Sequence, residues 1–251
     1  MQFEPFSKEY SIHYYEIDKK QKATPVAILN FLEDTAISHS NSVGLSINRL
    51  KSDKVGWVLS RWNVKINAYP SLFDKISVET WPSGFQRFYA NREFLIKDSN
   101  KQVIAKASSL WIFLNIETRH PTRIPKEFGD IYGIWPSRAT DEPFSDLENN
   151  ISFDSCKDFT VSRKDLDTNE HVNNVRYIEW FLETIPDDVY NNFILSSLEV
   201  NYKKEIKSGI TISSASKELF KSPEHCEYSH IITSPDGSML YSSAKTTWIK
   251  A

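Results

Sequence analysis

The chain has 251 residues, 40% of them hydrophobic and 25% charged, so it is long enough for one large or two ordinary domains with full cores. Its formal net charge is −3, which excludes a general electrostatic affinity for nucleic acid. Glycine is sparse, and no GxGxxG or GxxxxGK[ST] motif occurs, which argues against a glycine-rich phosphate-binding loop.

The first half of the chain predicts one helix followed by four strands. Thr24 and Pro25 form a good helix start, and the apolar segment PVAILNFL (25–32) continues it. Strand-forming residues then fill four segments, and the sequence KDSNK (97–101) predicts a hairpin turn between the last two. The predicted strands are Gly56–Ile66, Ile76–Trp81, Arg87–Lys97 and Val103–Ile116.

The second half repeats this order after a proline-containing stretch. Residues 120–150 hold four prolines and little periodicity, and we interpret them as a linker. Asn173 can cap a helix over NVRYIEWF (174–181), and SPDGS (234–238) predicts the second hairpin turn. The strands predicted here are Phe193–Tyr202, Ile210–Ser216, Tyr228–Thr233 and Met239–Ile249.

The two halves also share short matching segments. ASSLWI (107–112) and AKTTWI (244–249) each follow a predicted hairpin. A helix that is apolar almost all round, as over 25–37, needs cover on most sides, and a curved antiparallel sheet can supply it. We therefore predict an α+β protein of two hotdog units, spanning residues 1–119 and 151–251. Two unrelated α+β domains with coincidentally similar ends are the alternative.

The densest polar segment, DLDTNEHVNN, precedes the second predicted helix. Asp167, Asn169 and His171 alternate, so an extended backbone would point all three side chains the same way. Free N–H groups at the helix N-terminus favour the negative charge that develops on oxygen when a carbonyl carbon is attacked. The alternative is that these residues only cap a helix or form a turn.

The first half serves as an internal control for this segment. Aligning the two helices places Asp18 opposite Asp167, Lys20 opposite Asn169, and Lys22 opposite His171. The scaffold is therefore repeated, but the asparagine and the histidine are not. This asymmetry suggests that one half carries the chemistry and the other has a different task.

At these residues the chain resembles a known family. DLDTNEHVNNVRYIEWFLETIP is similar to the signature of acyl-acyl carrier protein (acyl-ACP) thioesterases, which release fatty acids from fatty acid synthesis, and LEVNYKKE (198–205) is similar to their second active-site segment. GWVLSRWNVKINAYP, TWPSGFQRFYANREFLIKD and ASSLWIFLNIETRHPTRIP extend the resemblance through the first half. It implies a tandem hotdog fold, in which each half is an antiparallel sheet around a long central helix.

The resemblance implies a catalytic set of Asp167, Asn169, His171 and Glu205, with no cofactor and no metal. We expect attack by an activated water, with Glu205 or Asp167 as general base and His171 as acid or orienting group. Asn169 would orient the water or the carbonyl, and backbone N–H groups of residues 172–174 would bind the oxyanion. Without the resemblance, Glu205 is more simply one partner in a solvated charge cluster.

One departure from the family concerns cysteine. Many plant members have a cysteine directly after the glutamate, where this chain has Ile206, so a covalent mechanism through that sulfur is excluded. Cys156 and Cys226 form no CxxC pair, and we expect each to be a small buried hydrophobe. The N-terminus shows no secretory pattern, and no segment approaches the roughly 20 apolar residues that cross a bilayer, so we expect a cytoplasmic protein without stable membrane insertion.

The expected partner is an acyl carrier protein bearing a fatty acyl chain. We assign the acyl chain to the first half, and the carrier to basic residues near the catalytic set. The candidates for docking are Arg163, Lys164, Arg176, Lys203, Lys204 and Lys207. The candidates for acyl contact are Val26, Leu29, Asn30, Leu32, Glu33, Trp57, Trp62 and Trp81, although ordinary core packing explains any one of them equally well.

Other activities remain open at this point. The alternatives are an acyl-CoA thioesterase of the same fold, a hydratase acting on an enoyl thioester, and a non-catalytic acyl-binding module. A monomer and a homodimer are both compatible with two hotdogs in one chain.

Overall fold

The computed structural model describes residues 4–147 and 152–251. They form two compact units. Unit 1 contains the residues up to Ser60 and Val64–Glu142, and unit 2 contains Arg61–Asn63 and the described residues from Pro143 onward. The predicted start of the second hotdog, at residue 151, lies outside the described residues.

Unit 1 is a curved antiparallel sheet with a long helix. Its strands lie in the order β1-β3-β4-β5-β2, and the hydrogen-bonded pairs β1/β3, β3/β4 and β4/β5 are antiparallel. The elements are β1 (Phe6–Ser11), α1 (Pro25–Ser42), α2 (Ile47–Ser52), β2 (Val55–Ile66), β3 (Lys75–Gln86), β4 (Tyr89–Lys97), β5 (Val103–Asn115) and α3 (Phe128–Tyr132).

Unit 2 repeats this topology strand for strand. Its order is β7-β10-β9-β8-β6, in which each strand corresponds to the one five places earlier along the chain. The elements are β6 (Ser155–Thr160), α4 (Asn174–Leu182), α5 (Asp187–Asn192), β7 (Phe193–Tyr202), β8 (Thr211–Lys221), β9 (His225–Thr233) and β10 (Leu240–Lys250). Shared topology confirms the predicted repeat, which two unrelated domains would lack.

The helix α1 begins where the sequence predicted. The Thr24 hydroxyl accepts the N–H of Ala27 at 3.1 Å, and Pro25 takes the first helical position. The helix is not covered on all sides, because Asn30, Asp34 and Ile37 are exposed while a wide face is buried. The buried residues of that face are Ala27, Ile28, Leu29, Phe31, Leu32, Thr35, Ala36 and His39.

The helix α4 is half as long as α1, with 9 residues against 18. Asn173 caps it as predicted, and its side-chain oxygen accepts the N–H of Val175 at 2.9 Å. The helix ends at Leu182, and Pro186 occupies the N-cap position of α5. Ser214 and Ser216 of β8 donate hydroxyl hydrogen bonds to the carbonyls of Trp180 and Thr184, which ties the C-terminal end of α4 to the sheet.

Both predicted hairpin turns are confirmed. Asp98 and Gln102 close the first turn through a backbone hydrogen bond of 3.0 Å, and Ser234 and Met239 close the second at 2.9 Å. The matching segments 107–112 and 244–249 lie in β5 and β10, which are corresponding strands. The sequence repeat therefore reflects a repeat in structure.

Part of the stretch that we interpreted as a linker belongs to the core of unit 1. Ile124, Phe128 and Tyr132 are buried and pack with Leu45 and Phe113. These apolar side chains fold the stretch back onto the sheet, despite its prolines. The assignment of residues 120–150 as a linker stays a prediction only for the part beyond this helix.

The cysteines differ in burial. Cys226 is buried as expected, but the prediction for Cys156 was wrong, because that side chain is exposed. Cys156 lies on β6, the last strand in the order of unit 2, where outward-pointing side chains face solvent. Separately, a helix long and apolar enough to cross a membrane is not found among the described residues.

Candidate active site

The predicted catalytic segment forms a tight turn in unit 2. One carboxylate oxygen of Asp167 accepts the backbone N–H of Asn169 at 2.7 Å and that of His171 at 3.2 Å. The backbone N–H of Asp167 donates to the His171 carbonyl at 2.7 Å, and Glu170 takes a left-handed φ of 62°. The turn is therefore held by the aspartate side chain, in the manner of an Asx-turn.

The prediction of an extended segment was wrong. Leu166 and Val172 pair as an isolated bridge, so the chain reverses direction between them. Asp167 and His171 face each other across this small hairpin instead of alternating along a strand. The side chain of Asp167 favours the turn over an extended segment. In the turn it accepts the backbone N–H groups of Asn169 and His171, which would otherwise lack an acceptor here.

The turn places His171 beside Glu205. The Nε2 atom of His171 lies 3.4 Å from Oε2 of Glu205, and the two side chains are 18% and 34% exposed. The two backbone segments are joined directly, because Val172 donates its N–H to the carbonyl of Ile206 at 2.9 Å and His171 bridges to Lys207. An imidazole and a carboxylate, 34 positions apart in sequence, thus meet at a partly exposed site.

Of the four predicted residues, Asn169 is the most loosely attached. Its side-chain amide reaches the second oxygen of Asp167 at 3.4 Å, and the residue is exposed. The structure therefore brings Asp167, Asn169 and His171 into one turn and adds Glu205 from the segment that follows β7. Chemically, the set offers a carboxylate base, an imidazole and a reorientable amide.

Two tyrosines that the sequence analysis missed hold the backbone around Glu205. The hydroxyl of Tyr177, on α4, donates to the carbonyl of Lys204 at 3.3 Å, and that of Tyr202, on β7, donates to the carbonyl of Asn174 at 3.0 Å. Their rings meet edge to face, with centroids 5.3 Å apart. Burial raises the pKa of Tyr177, which keeps its phenol a donor. The sequence did contain a signal for Tyr177. It lies on the buried face of a predicted helix, and a buried hydroxyl needs a hydrogen-bond partner.

The corresponding turn of unit 1 has the same backbone without the candidate catalytic histidine and asparagine. Asp18 accepts the backbone N–H of Lys20 at 2.8 Å and that of Lys22 at 3.1 Å, and Gln21 has a φ of 60°. Ala23 donates to the carbonyl of Pro70, as Val172 does to Ile206, so Tyr69 takes the place of Glu205. The predicted alignment of Asp18, Lys20 and Lys22 with the catalytic segment is therefore correct.

The expected oxyanion donors are only partly available. The N–H of Val172 already donates to Ile206, and that of Asn173 donates to the carbonyl of Asp165 at 2.8 Å. Asn174 is the first residue of α4, a position whose N–H has no acceptor within the helix. This one amide is the remaining donor from the predicted stretch.

The candidate docking residues differ in whether their charges are already paired within the protein. Lys203, Lys204 and Lys207 surround Glu205 and are exposed. Arg163 and Lys164 are also exposed, on the short helical turn that precedes Asp167. Arg176, in contrast, lies 2.7 Å from Glu179 and 3.8 Å from Asp165, so internal ion pairs already neutralise its charge.

Unit 1 contains a cleft of about 560 Å³ that is half open to solvent. Apolar side chains line most of it, and Arg49, Asp53, Arg123 and Glu127 contribute charged groups. The apolar lining residues are Val43, Leu45, Val55, Pro125, Phe113, Phe128 and Ile131. The acyl-contact candidates are not among its lining residues, although Trp57 packs on the lining residue Phe113 with ring centroids 4.7 Å apart. Leu29, Leu32, Trp62 and Trp81, for example, are fully buried, as ordinary core packing would have them.

Solved structures show which fold the two units form. The chain superposes on the 12:0-ACP thioesterase from Umbellularia californica with a TM-score of 0.88 at 24% identity, covering 98% of this chain and 94% of that one. An acyl-ACP thioesterase from Bacteroides thetaiotaomicron gives a TM-score of 0.86 at 26% identity, with 96% of each chain covered. Together with the repeated sheet-and-helix unit, these matches define a tandem hotdog protein.

Sequence comparison then gives the family. Residues 4–132 match the acyl-ACP thioesterase N-terminal domain, and residues 148–250 match the C-terminal domain. The chain belongs to the acyl-ACP thioesterase family.

Among curated relatives, the palmitoyl-acyl carrier protein thioesterase of Gossypium hirsutum is 30% identical over 97% of this chain. The dodecanoyl-[acyl-carrier-protein] hydrolase of Cinnamomum camphora is 28% identical over 97%. This chain spans 63% and 67% of those two relatives.

Proposed function

We propose that this protein hydrolyses the thioester of a fatty acyl-acyl carrier protein to the free fatty acid and the carrier thiol. The observation that carries the proposal is the 3.4 Å approach of His171 to Glu205, beside the turn that holds Asn169. Membership of the acyl-ACP thioesterase family supports it. In unit 1, Lys22 and Tyr69 occupy the positions of His171 and Glu205, so the imidazole and the carboxylate are both missing there. This supports a single reactive site, in unit 2.

Glu205 is the general base in this proposal, and Asp167 is a positioning residue. Both oxygens of Asp167 already accept hydrogen bonds within the turn. Its counterpart Asp18 does the same structural task in a turn that lacks the histidine. Glu205 is partly exposed and can receive a water molecule. A base must be able to approach the attacking water, and Glu205 is more exposed than Asp167, which favours Glu205.

The reaction follows from these roles. Glu205 removes a proton from a water molecule while the water oxygen bonds to the thioester carbonyl carbon. Asn169 and the N–H of Asn174 bind the resulting oxyanion. Collapse of the tetrahedral intermediate breaks the C–S bond, and the departing thiolate receives a proton through His171. Water supplies the OH group and proton that end on the fatty acid and the carrier thiol, so the step balances without a cofactor.

The acyl chain occupies unit 1 in this proposal. Its half-open cleft of about 560 Å³ has more apolar than charged lining residues and falls in the size range of small-molecule sites. A Val43→Phe substitution adds bulk at the lining and should move the preferred substrate to shorter chains. An unchanged chain-length profile in a variant with normal thermal stability would assign the acyl chain to another place.

The carrier protein is proposed to dock on the exposed lysines around Glu205. Acyl carrier proteins are acidic, and Lys203, Lys204 and Lys207 form a local basic group despite the net charge of −3. Charge pairs at an interface chiefly raise the association rate and are screened by salt. We expect Lys203→Glu to raise KM for the carrier-bound substrate with little change in kcat, and added salt to have the same effect on the wild type.

The decisive experiment measures thiol release from acyl carrier proteins of several chain lengths, with wild type and His171→Ala. Release by the wild type that falls sharply in the variant supports the proposal. CoA thioesters of equal length, offered in competition, test the acyl-CoA alternative. Hydration of an enoyl thioester without thiol release would identify a hydratase, and acyl binding without turnover would identify a binding module.

The compartment and the oligomeric state are separate predictions. The curated relatives named above are chloroplastic, whereas we propose a cytoplasmic location for this chain. Cell fractionation tests the first, and sedimentation velocity distinguishes a monomer from a homodimer.

A further inference from the structure

The two tyrosines of the candidate active site have no counterpart in unit 1. Tyr177 lies four residues after the N-cap of α4, and Ile28 lies four residues after the N-cap of α1. Tyr202 and Ile66 are the last residues of β7 and β2, three positions before Glu205 and its counterpart. Both isoleucines are buried. The same turn and helix start therefore form without tyrosine, so the fold does not require the tyrosine pair, as we call Tyr177 and Tyr202.

The first residue of the helix also differs between the units. In unit 2 it is Asn174, whose N–H has no acceptor within the helix and binds the oxyanion in the proposed reaction. In unit 1 it is Pro25, which has no N–H. Unit 1 thus lacks both the donor and the tyrosines that lie beside it in unit 2.

Tyr202 anchors the first turn of α4. Its hydroxyl donates to the carbonyl of Asn174 at 3.0 Å, so it holds the residue that bears the free N–H. Helix ends fray, and a donor stabilises an oxyanion best when its direction is fixed before the reaction. The hydrogen bond from Tyr202 therefore keeps the N–H of Asn174 in one direction.

Tyr177 anchors the backbone on both sides of Glu205. Its hydroxyl donates to the carbonyl of Lys204 at 3.3 Å. Burial raises the pKa of Tyr177, and a backbone hydrogen bond from Ile206 offsets part of that rise. The edge-to-face contact between the rings of the tyrosine pair, with centroids 5.3 Å apart, holds the two hydroxyls at a fixed separation.

We propose that the tyrosine pair fixes the oxyanion donor relative to the general base, with Tyr202 positioning the N–H of Asn174 and Tyr177 positioning Glu205. Both tyrosines act through backbone groups and touch no reacting atom, so they are positioning residues. A buried phenol needs a hydrogen-bond partner, whereas isoleucine does not. A unit without chemistry therefore has no reason to keep the pair. This inference rests on the hydrolysis proposed for unit 2.

The test compares Tyr202→Phe with Tyr10→Phe in the full chain. Tyr202→Phe keeps the ring contact and removes only the hydrogen bond to Asn174. Tyr10 provides the matched control, because it also lies on a strand and its hydroxyl bonds to the helix of its own unit, at 2.7 Å from both Asp34 and Thr35. The measurements are kcat and KM for thiol release from an acyl carrier protein, the melting temperature, and the affinity for an alkyl trifluoromethyl ketone. The hydrate of that ketone mimics the tetrahedral intermediate.

We expect Tyr202→Phe to lower kcat about tenfold with little change in KM, because a misdirected donor weakens binding of the transition state more than that of the substrate. Affinity for the ketone should fall by a similar factor. Tyr10→Phe should preserve kcat and ketone affinity, even where its melting temperature falls as far as that of Tyr202→Phe.

A Tyr202→Phe variant with wild-type kcat overturns the inference. So does an equal loss of kcat in Tyr10→Phe, or a defect confined to KM. In each of these cases the wild type still releases thiol, so the proposed function stands. Absence of thiol release by the wild type overturns the proposed function and this inference together.

Discussion

Asp18 and Asp167 build the same turn in the two units, yet only the turn of Asp167 holds a histidine. Each carboxylate accepts the backbone N–H groups two and four positions ahead, at 2.8 and 3.1 Å for Asp18 and at 2.7 and 3.2 Å for Asp167. The fold therefore needs the aspartate whether or not the unit is reactive. A substitution in the turn of unit 2 can therefore be compared with a substitution at the corresponding position in the turn of unit 1.

The first prediction concerns the imidazole. His171→Ala should lower kcat for thioester hydrolysis about a hundredfold or more, because a positioned acid-base group is lost. Lys22→Ala, at the corresponding position of unit 1, should leave kcat unchanged. Thiol release under saturating substrate measures both. Equal losses in the two variants would contradict a single reactive site.

The second prediction separates the two carboxylates. Glu205→Gln should reduce kcat by about a hundredfold with little change in stability, because it removes only the base. Asp167→Ala should lower the free energy of unfolding by about 1–3 kcal/mol, because two backbone N–H groups lose their acceptor.

Asp18→Ala provides the control for this pair. It should destabilise the protein by a similar amount while preserving kcat in the fraction that remains folded. Urea unfolding and thiol release give the two quantities. A fully stable and inactive Asp167→Ala variant would instead identify Asp167 as the base.

The third prediction concerns Tyr177 as a positioning residue. Tyr177→Phe removes the hydrogen bond to the carbonyl of Lys204, directly before Glu205. We expect kcat to fall about tenfold and KM to change little, because small misplacements of a catalytic group slow chemistry more than binding. Tyr228→Phe, which removes a buried hydroxyl bonded to Glu218 in the same unit, should leave kcat unchanged. A parallel loss in both variants would indicate a general packing effect.

The fourth prediction concerns acid stability. Burial lowers the pKa of His230 to about 3, and burial together with the nearby Arg92 guanidinium lowers that of His39 to about 3, from an ordinary value of 6.5. Between about pH 3 and pH 6.5 these two histidines bind protons in the unfolded state but not in the folded state. The contribution of each neutral histidine is thus complete above pH 6.5 and is lost as the pH falls toward 3, at about 1.4 kcal/mol per pH unit.

Urea unfolding at several pH values tests this dependence. We expect the slope of unfolding free energy against pH, between about pH 6 and 4, to be smaller in His230→Asn than in the wild type. The difference should correspond to one bound proton, which is about 1.4 kcal/mol per pH unit. An unchanged slope in His230→Asn would show that His230 is protonated in the folded protein.

The sequence by itself determined the repeat and the helix starts, and it predicted Asp167, Asn169 and His171 as members of the proposed catalytic set. These features depend on local chemistry: Thr24 and Asn173 cap helices through their own side chains, and prolines, glycines and alternating apolar residues define turns and strands. The family signature added Glu205, which no local pattern distinguishes from its neighbouring lysines.

Only the tertiary structure decided how these residues meet. It converted the expected extended segment into a turn held by Asp167, and it brought Glu205 within 3.4 Å of His171. It revealed that Tyr177 fixes the backbone before Glu205, and that Phe128 and Tyr132 bury themselves in unit 1. Contacts between residues distant in sequence depend on which surfaces the sheets and helices bury together, and local propensities do not encode that choice.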